Sequence, residues 1–231
     1  MSSLPGGYRA LVLGASGGIG GAILAALRAD PRCGDAVGLS RSADGLDVTS
    51  DAAMARAAAD AAERLGGPLH LLVCATGILA PPGKGPEKAL SRVTPAAMAE
   101  VFAANAIGPA MVFKHFAPLL PKRDRGLVGV LTARVGSIGD NRMGGWTSYR
   151  AAKAAANQVV RTAAVELSRT RPRTVALALH PGTVRTPFTE GYQEGRDTLS
   201  PDESAARLLR ILDGAQQTGR FVAHDGGEVP W

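Results

Sequence analysis

Short apolar runs alternate along this chain with longer stretches whose apolar residues recur at helical spacing, the rhythm of strand–helix–strand units on a parallel sheet. Tyr8 to Leu13 predicts a first strand, entered from a Pro-Gly-Gly turn, and Gly18 to about Ala29 a helix ended by Asp30-Pro31. Ala36 to Ser40 predicts a second strand and Gly45 to Val48 a short third. Ser50 or Asp51 caps an alanine-rich helix running to Leu65, which Gly66-Gly67-Pro68 stops. Leu69 to Ala75 is apolar on both faces apart from His70, the pattern of a strand covered on both sides. Beyond a loop with Pro81-Pro82-Gly83-Lys84-Gly85-Pro86, Thr94 caps a helix with Pro95 at its first position. That helix bends near Asn105 to Pro109 and reaches Leu120. Gly126 to Thr132 then predicts a strand, Tyr149 to Arg169 a helix and Thr174 to Leu179 a strand. Residues 187 to 200 read as loop, Ser200-Pro201 starts a helix to about Asp213, and Phe221 to Ala223 is the last strand. No repeat or shift of composition divides residues 1–231. The expected fold is α/β, one domain with a doubly wound parallel sheet of about seven strands and helices on both faces.

Composition narrows the class. A 45% hydrophobic and 20% charged chain of 231 residues has enough apolar material for one sizeable core. Aromatics are only 4%, so alanine and glycine must let helices pack closely on the sheet. No apolar run approaches the roughly 18 residues a membrane span needs. Met-Ser-Ser-Leu-Pro-Gly-Gly-Tyr-Arg lacks the charged-then-apolar design of a signal segment. A cytoplasmic location without a membrane partner is expected. Cys33 and Cys74 make no disulfide framework, and His70, His115, His180 and His224 never fall at ligand spacing, which argues against a metal site. The net charge of +6 invites a nucleic-acid reading, but the arginines are scattered and form no stripe among aromatics. A solvated basic surface is expected instead, some of it available to an anionic cofactor.

The chemistry concentrates in three places. Gly14-Ala-Ser-Gly-Gly-Ile-Gly20 falls where the first strand meets the first helix. Glycine there permits close backbone approach, and the helix N-terminus beyond offers free amides and a positive dipole end to a pyrophosphate. The Gly-x-x-x-Gly-x-Gly spacing differs from Gly-x-Gly-x-x-Gly but does the same work in the same place, making the expected fold Rossmann-type. The segment also fits Gly-x-Ser-x-Gly, a hydrolase nucleophile elbow, with His180 or His224 and Asp213 or Asp225 as formal partners. An elbow, however, belongs deep in its sheet rather than at the first turn. After the second strand comes Ser40-Arg41-Ser42. An acid at this position reads the free ribose 2′-hydroxyl of NAD, whereas an arginine accommodates the 2′-phosphate of NADP. With Arg41, two small hydroxyls and no acid, NADP(H) is favoured over NAD(H). Finally, Tyr149 and Lys153 stand four residues apart on one helix face. A neighbouring ammonium favours phenolate, pulling the phenol down from about 10 toward an acid/base poised for a carbonyl or an alcohol.

These motifs, in this order, resemble the short-chain dehydrogenase/reductase family over nearly the whole chain, from Tyr8 to Phe221. The resemblance implies that Gly14, Ser16, Gly17, Gly18, Ile19 and Gly20 cradle the cofactor phosphates. Ser40, Arg41 and Ser42 would meet the ribose, and Asp47-Val48 the adenine. Ala75, Thr76 and Gly77 would line the cofactor after the central strand. Asn105 falls on the helix asparagine that holds the active-site lysine and a relay water. Tyr149 and Lys153 match the catalytic pair. Pro181, Gly182, Val184 and Thr186 match the segment that receives the nicotinamide carboxamide. The stretch Val135 to Tyr149 and the ending Gly-Glu-Val-Pro-Trp231 resemble the C-factor and sniffer-type carbonyl reductase branch.

Two departures stand out. Cys74-Ala75-Thr76-Gly77 replaces the family's Asn-Asn-Ala-Gly, keeping the glycine that faces the cofactor and losing the asparagine that braces strands. Ala133 occupies the position of the catalytic serine, with Thr132 and Ser137 the nearby hydroxyls. Adjacent strand residues face opposite sides, so Thr132 serves only if the strand end is kinked; Ser137 serves only if it curls back. The implied activity is reversible hydride transfer between NADP(H) and a small carbonyl or secondary alcohol. The alternative is an NADP-binding signalling or scaffold protein that barely catalyses, with serine hydrolase a distant third. Residues 187–200 are the expected substrate lid, hinged at Gly191 and Gly195, with Phe188, Tyr192 and Trp146 walling the pocket. The alanine-rich helix from Tyr149 predicts a homodimer or homotetramer.

Overall fold

The computed structural model describes residues 1–195 and 197–231. Six parallel strands form the main sheet, in the order β2-β1-β3-β4-β5-β8. In chain order, β1 (Tyr8–Leu13) leads into α1 (Gly18–Ala29), β2 (Cys33–Leu39), the one-turn α2 (Arg41–Asp44) and α3 (Asp51–Leu65). β3 (Leu71–Cys74), α4 (Pro95–Phe102), α5 (Gly108–Phe116), β4 (Gly126–Leu131) and α6 (Thr147–Thr170) follow. β5 (Thr174–His180), the short β6 (Thr183–Val184) and β7 (Thr198–Leu199), α7 (Pro201–Gly214) and β8 (Arg220–Ala223) complete the chain.

Side-chain alternation on the strands divides the core between two helical layers. Ala10, Val12, Leu131 and Leu179 face α1 and α7, meeting Ile23, Leu27, Leu208 and Leu212. Leu11, Leu13, Val130 and Ala178 face α3, α5 and α6, meeting Met54, Phe116, Val160 and Leu167. Ser50, Thr94 and Ser200 accept the backbone N–H groups of Ala53, Ala97 and Glu203, so the helices start where the sequence placed their caps. The order reverses beside β1, with β2 on one side and β3 on the other. A crevice opens there at the C-terminal strand ends, the place where such sheets bind ligands.

Three expectations change. Gly45 to Val48 is not a strand: Ser40 caps α2, Gly45 turns left-handed at φ +64° and Leu46 N–H returns to Ser40 C=O. Leu46 is buried in the core without pairing to the sheet, so its apolar signal was real and the strand assignment was not. Residues 187–200 are only partly loop, because Thr198–Leu199 pairs with Thr183–Val184. Arg196 lies outside the described residues. Lastly, Pro95–Leu119 is one helical stretch long and apolar enough to cross a membrane by length and composition alone. Here Val101, Val112, Phe113 and Phe116 from that stretch are buried within the fold.

Candidate active site

A cleft of about 630 Å³ opens at the strand ends, lined by Ser16 to Gly20, Ala75 to Gly77, Leu131 to Val135, Tyr149, Lys153 and residues of the 180–192 segment. Its first wall is built by close approach. Gly14 turns at φ +86°, and a Cβ on Gly20 would stand 2.2 Å from the Gly14 carbonyl oxygen. A Cβ on Gly18 would meet Thr186 Cγ2 at 2.5 Å, so the first turn and the Pro181–Thr186 segment touch across the crevice. Only bare backbone fits there, leaving α1's N-terminal amides open to an anion, because Gly17 provides no side-chain cap. The cradle therefore fits a dinucleotide phosphate. Pro181, Gly182, Val184 and Thr186 line the same cleft.

Gly14, Ser40, Arg41, Ser42, Asp47, Val48, Asn105 and Ser137 do not line this cleft. Around Ser40 an acid appears that the linear pattern did not show. Asp44 Oδ2 accepts Ser40 N–H at 2.8 Å, and Asp44 Oδ1 lies 3.3 Å from Arg64. One helical turn carries it back. Arg41 stays exposed, and Asp47 accepts both the N–H and the hydroxyl of Thr49, which hold its carboxyl below the ordinary range. Val48 packs toward Gly108.

Tyr149 and Lys153 are buried, at 6% and 4% exposure, the tyrosine clustered with Val101, Ala152, Ala133 and Trp146. Lys153 Nζ lies 5.7 Å from the tyrosine ring centroid and donates to Leu131 C=O at 3.0 Å. The expected lowering of the phenol by this ammonium is not what dominates. Burial disfavours both charged forms, raising the Tyr149 phenol and lowering the lysine to about 8. Tyr149 is therefore a protonated donor at neutral pH. Asn105 sits at the expected bend, a wider π turn (Ala103–Ile107) between α4 and α5. Its amide holds Ile78 instead of the lysine, accepting Ile78 N–H at 3.1 Å and donating to Ile78 C=O at 2.7 Å. That grip fixes the chain beyond Gly77, where a Cβ would meet Asn105 Oδ1 at 2.6 Å. Cys74 Sγ and Thr76 Oγ1 lie 3.3 Å apart beside it.

The replacement hydroxyls separate cleanly. Ser137 donates to Pro230 C=O and accepts from Asp140 N–H, and it lies off the cleft, so it does not curl back to a substrate. β4 stops at Leu131 and Ala133 enters a 3₁₀ turn (Arg134–Gly136), so strand alternation no longer separates neighbours there. Thr132 and Ala133 consequently both line the cleft, and Thr132 Oγ1 is buried without a partner among the described residues. No triad forms around Ser16. Asp213 accepts from Ser2 and Ser3, Asp225 from Gly227, and His224 Nδ1 faces Arg207 at 3.2 Å. Among the described residues Ser16 makes no hydrogen bond to a histidine.

Aromatic rings close the outer end. Trp146 meets Tyr149 and Tyr192 edge-on at 6.3 and 5.1 Å, and Phe188 stands 6.3 Å from Tyr149. Trp146 is also the one non-glycine at positive φ (52°) among the described residues, a conformation that costs a bulky side chain energy. Sequence reasoning missed His180 and Arg134 as cleft residues. Their only available signals were proximity to Pro181 and to Ala133.

Residues 33–223 match the family model described as enoyl-(acyl carrier protein) reductase. The C-signal of Myxococcus xanthus is 37% identical over 169 residues, covering 71% of this chain and 94% of that protein. The 1-hydroxy-2-glutathionyl-2-methyl-3-butene dehydrogenase of Rhodococcus sp. (strain AD45) is 37% identical over 129 residues, so the match spans 55% of this chain and only 55% of that relative's length. Among solved structures, the NADPH-bound carbonyl reductase from chicken fatty liver has a TM-score of 0.81 at 26% identity, covering 99% of this chain and 95% of the other.

Proposed function

The chain belongs to the short-chain dehydrogenase/reductase family, and on that premise we propose that it reduces a small carbonyl compound with NADP(H), Tyr149 supplying the proton. The observation that carries this reading is a buried, protonated phenol opening on the same cleft as the glycine cradle. When bound, the nicotinamide supplies the hydride or takes it back. The protein's residues do the rest. Gly14 to Gly20 receive the phosphates, and Pro181 to Thr186 close over the opposite side. Tyr149 Oη hydrogen-bonds the carbonyl oxygen and gives up its proton as that oxygen becomes an alcohol. Lys153, held by Leu131, brings positive charge to the tyrosine and to the ribose. Asn105 holds the backbone at Ile78, and the rings of Trp146, Phe188 and Tyr192 exclude water.

Arg41 supports NADP(H) over NAD(H), because Asp44 is engaged by Ser40 and Arg64 while the Arg41 fork stays free. Titration calorimetry tests this. Arg41→Ala should weaken NADPH by on the order of tenfold, the worth of a charge-assisted contact, and leave NADH unchanged; equal loss of both would refute the assignment.

Ala133 favours a second reading, an NADP-binding protein with little turnover. NADPH binding without reduction of any aldehyde, diketone or quinone would select it. A homodimer or homotetramer through α6 is also part of the proposal.

A further inference from the structure

We propose that His180, with its tautomer fixed by Thr132, is the hydrogen-bond donor that takes the place of the absent serine hydroxyl. The proposal rests on the reductase reading of the cleft. Among the described residues Thr132 Oγ1 and His180 Nδ1 are both buried without a partner, and both residues line the cleft. Leaving such an atom unpaired is costly, so two lining one cleft call for an explanation.

Their positions supply it. β4 pairs with β5 in parallel register up to Leu131 opposite Leu179, and Thr132 N–H continues the ladder to Leu179 C=O at 2.8 Å. The next step sets Thr132 beside His180 at the strand ends, where both line the cleft. Two residues earlier, Val130 and Ala178 share the core cluster beneath α6, whereas Leu131 and Leu179 share the opposite one. Thr132 and His180 line the same cleft as Tyr149. Oγ1 and Nδ1 do not hydrogen-bond as they stand; a rotation of the Thr132 side chain about its Cα–Cβ bond toward the ring would satisfy both atoms, the O–H donating and Nδ1 accepting.

An imidazole whose Nδ1 accepts carries its proton on Nε2. Among the described residues His180 Nε2 makes no hydrogen bond and it is not fully buried, so in that tautomer it would present N–H to the cleft. The ring stays neutral there. Burial comes first, then the charges of Arg134 and His224, and together they push His180 down to about 3 against the opposing carboxylate of Asp225. A neutral N–H donor is the group the site otherwise lacks, since Ala133 offers none and Ser137 is bound to Pro230. The donor holds the substrate oxygen without transferring a proton, which remains the work of Tyr149. Thr132 acts through the imidazole as a positioning residue.

Nitrogen-resolved imidazole NMR and kinetics together decide it. In the wild-type chain His180 should show the Nε2–H tautomer, which Thr132→Ser keeps and Thr132→Val scrambles. His180→Leu should lower kcat by on the order of 100-fold, the usual worth of one such donor, with NADPH affinity unchanged. His180→Gln, whose amide nitrogen reaches the Nε2 position, should recover part of it. Thr132→Val should lower kcat less and add nothing to His180→Leu, and Ser137→Ala should leave kcat near wild type. An Nδ1–H tautomer, a wild-type kcat in His180→Leu, or a loss confined to NADPH affinity would overturn the proposal while the reductase reading stands. A wild-type chain that reduces no carbonyl would sink both, leaving the tautomer to report on the Thr132–His180 pair alone.

Discussion

Lys153 is an ammonium at 4% exposure with one backbone carbonyl for company, and that arrangement has a thermodynamic signature. Below about pH 8 the group is charged in both folded and unfolded chains, and the folded one bears the full desolvation cost. Between about 8 and the ordinary 10.5 the folded chain has released its proton and the unfolded chain has not, so stability rises with pH across that window. The interval corresponds to about 3 kcal/mol. Tyr149, raised by burial, opposes the trend only above pH 10, where the unfolded phenol ionises first. Lys153→Met should therefore stabilise the chain at pH 7 and flatten its thermal-denaturation profile between pH 8 and 10; an unchanged profile would contradict the assignment. The pairing of Tyr149 with Lys153 was legible from a four-residue spacing. Its electrostatics were not, because spacing carries no information about how many apolar neighbours exclude water.

Among the elements, α6 shows how a distant loop orders the site. Trp146 precedes its first residue in a left-handed conformation, held by its N–H to Glu87 C=O at 2.5 Å. The Glu87 carboxylate accepts both the N–H and the hydroxyl of Ser148, supplying the cap and the negative charge that this 24-residue helix lacks at its own N-terminus. Glu87→Ala should cost about 1 kcal/mol in urea denaturation and raise KM more than it lowers kcat, since the aromatic wall loosens while Tyr149 stays buried. No loss of stability would remove Glu87 from this role. Strand and helix positions were readable because caps and apolar periods are local signals. Gly45 to Val48 misled because a buried Leu46 looks the same in sequence whether or not a neighbouring strand pairs with it. The roles of Glu87 and of His180 at the cleft were not legible for the complementary reason: Glu87 meets Trp146 and Ser148, and His180 comes beside Thr132, dozens of residues away in the chain and brought close only by the fold.

At the scale of the molecule, six strands and two helical layers place a cleft where the strand order reverses, and Tyr149, Lys153, Thr132, His180 and the glycines Gly17 to Gly20 line it together. Val165 remains exposed at 40% on α6, the helix proposed to associate. Light scattering should give at least twice the 23.7 kDa of one chain, and a monomer at working concentration would remove the oligomer from the account. Ala133 leaves the larger question, whether a phenol in this setting turns over substrate. The direct measurement is single-turnover oxidation of bound NADPH by a panel of aldehydes, diketones and quinones, in wild type and in Tyr149→Phe. The account predicts that both bind NADPH equally and that the variant loses on the order of 100- to 10,000-fold in rate, the usual worth of a positioned general acid. A variant that reduces the same carbonyls at the wild-type rate would contradict it.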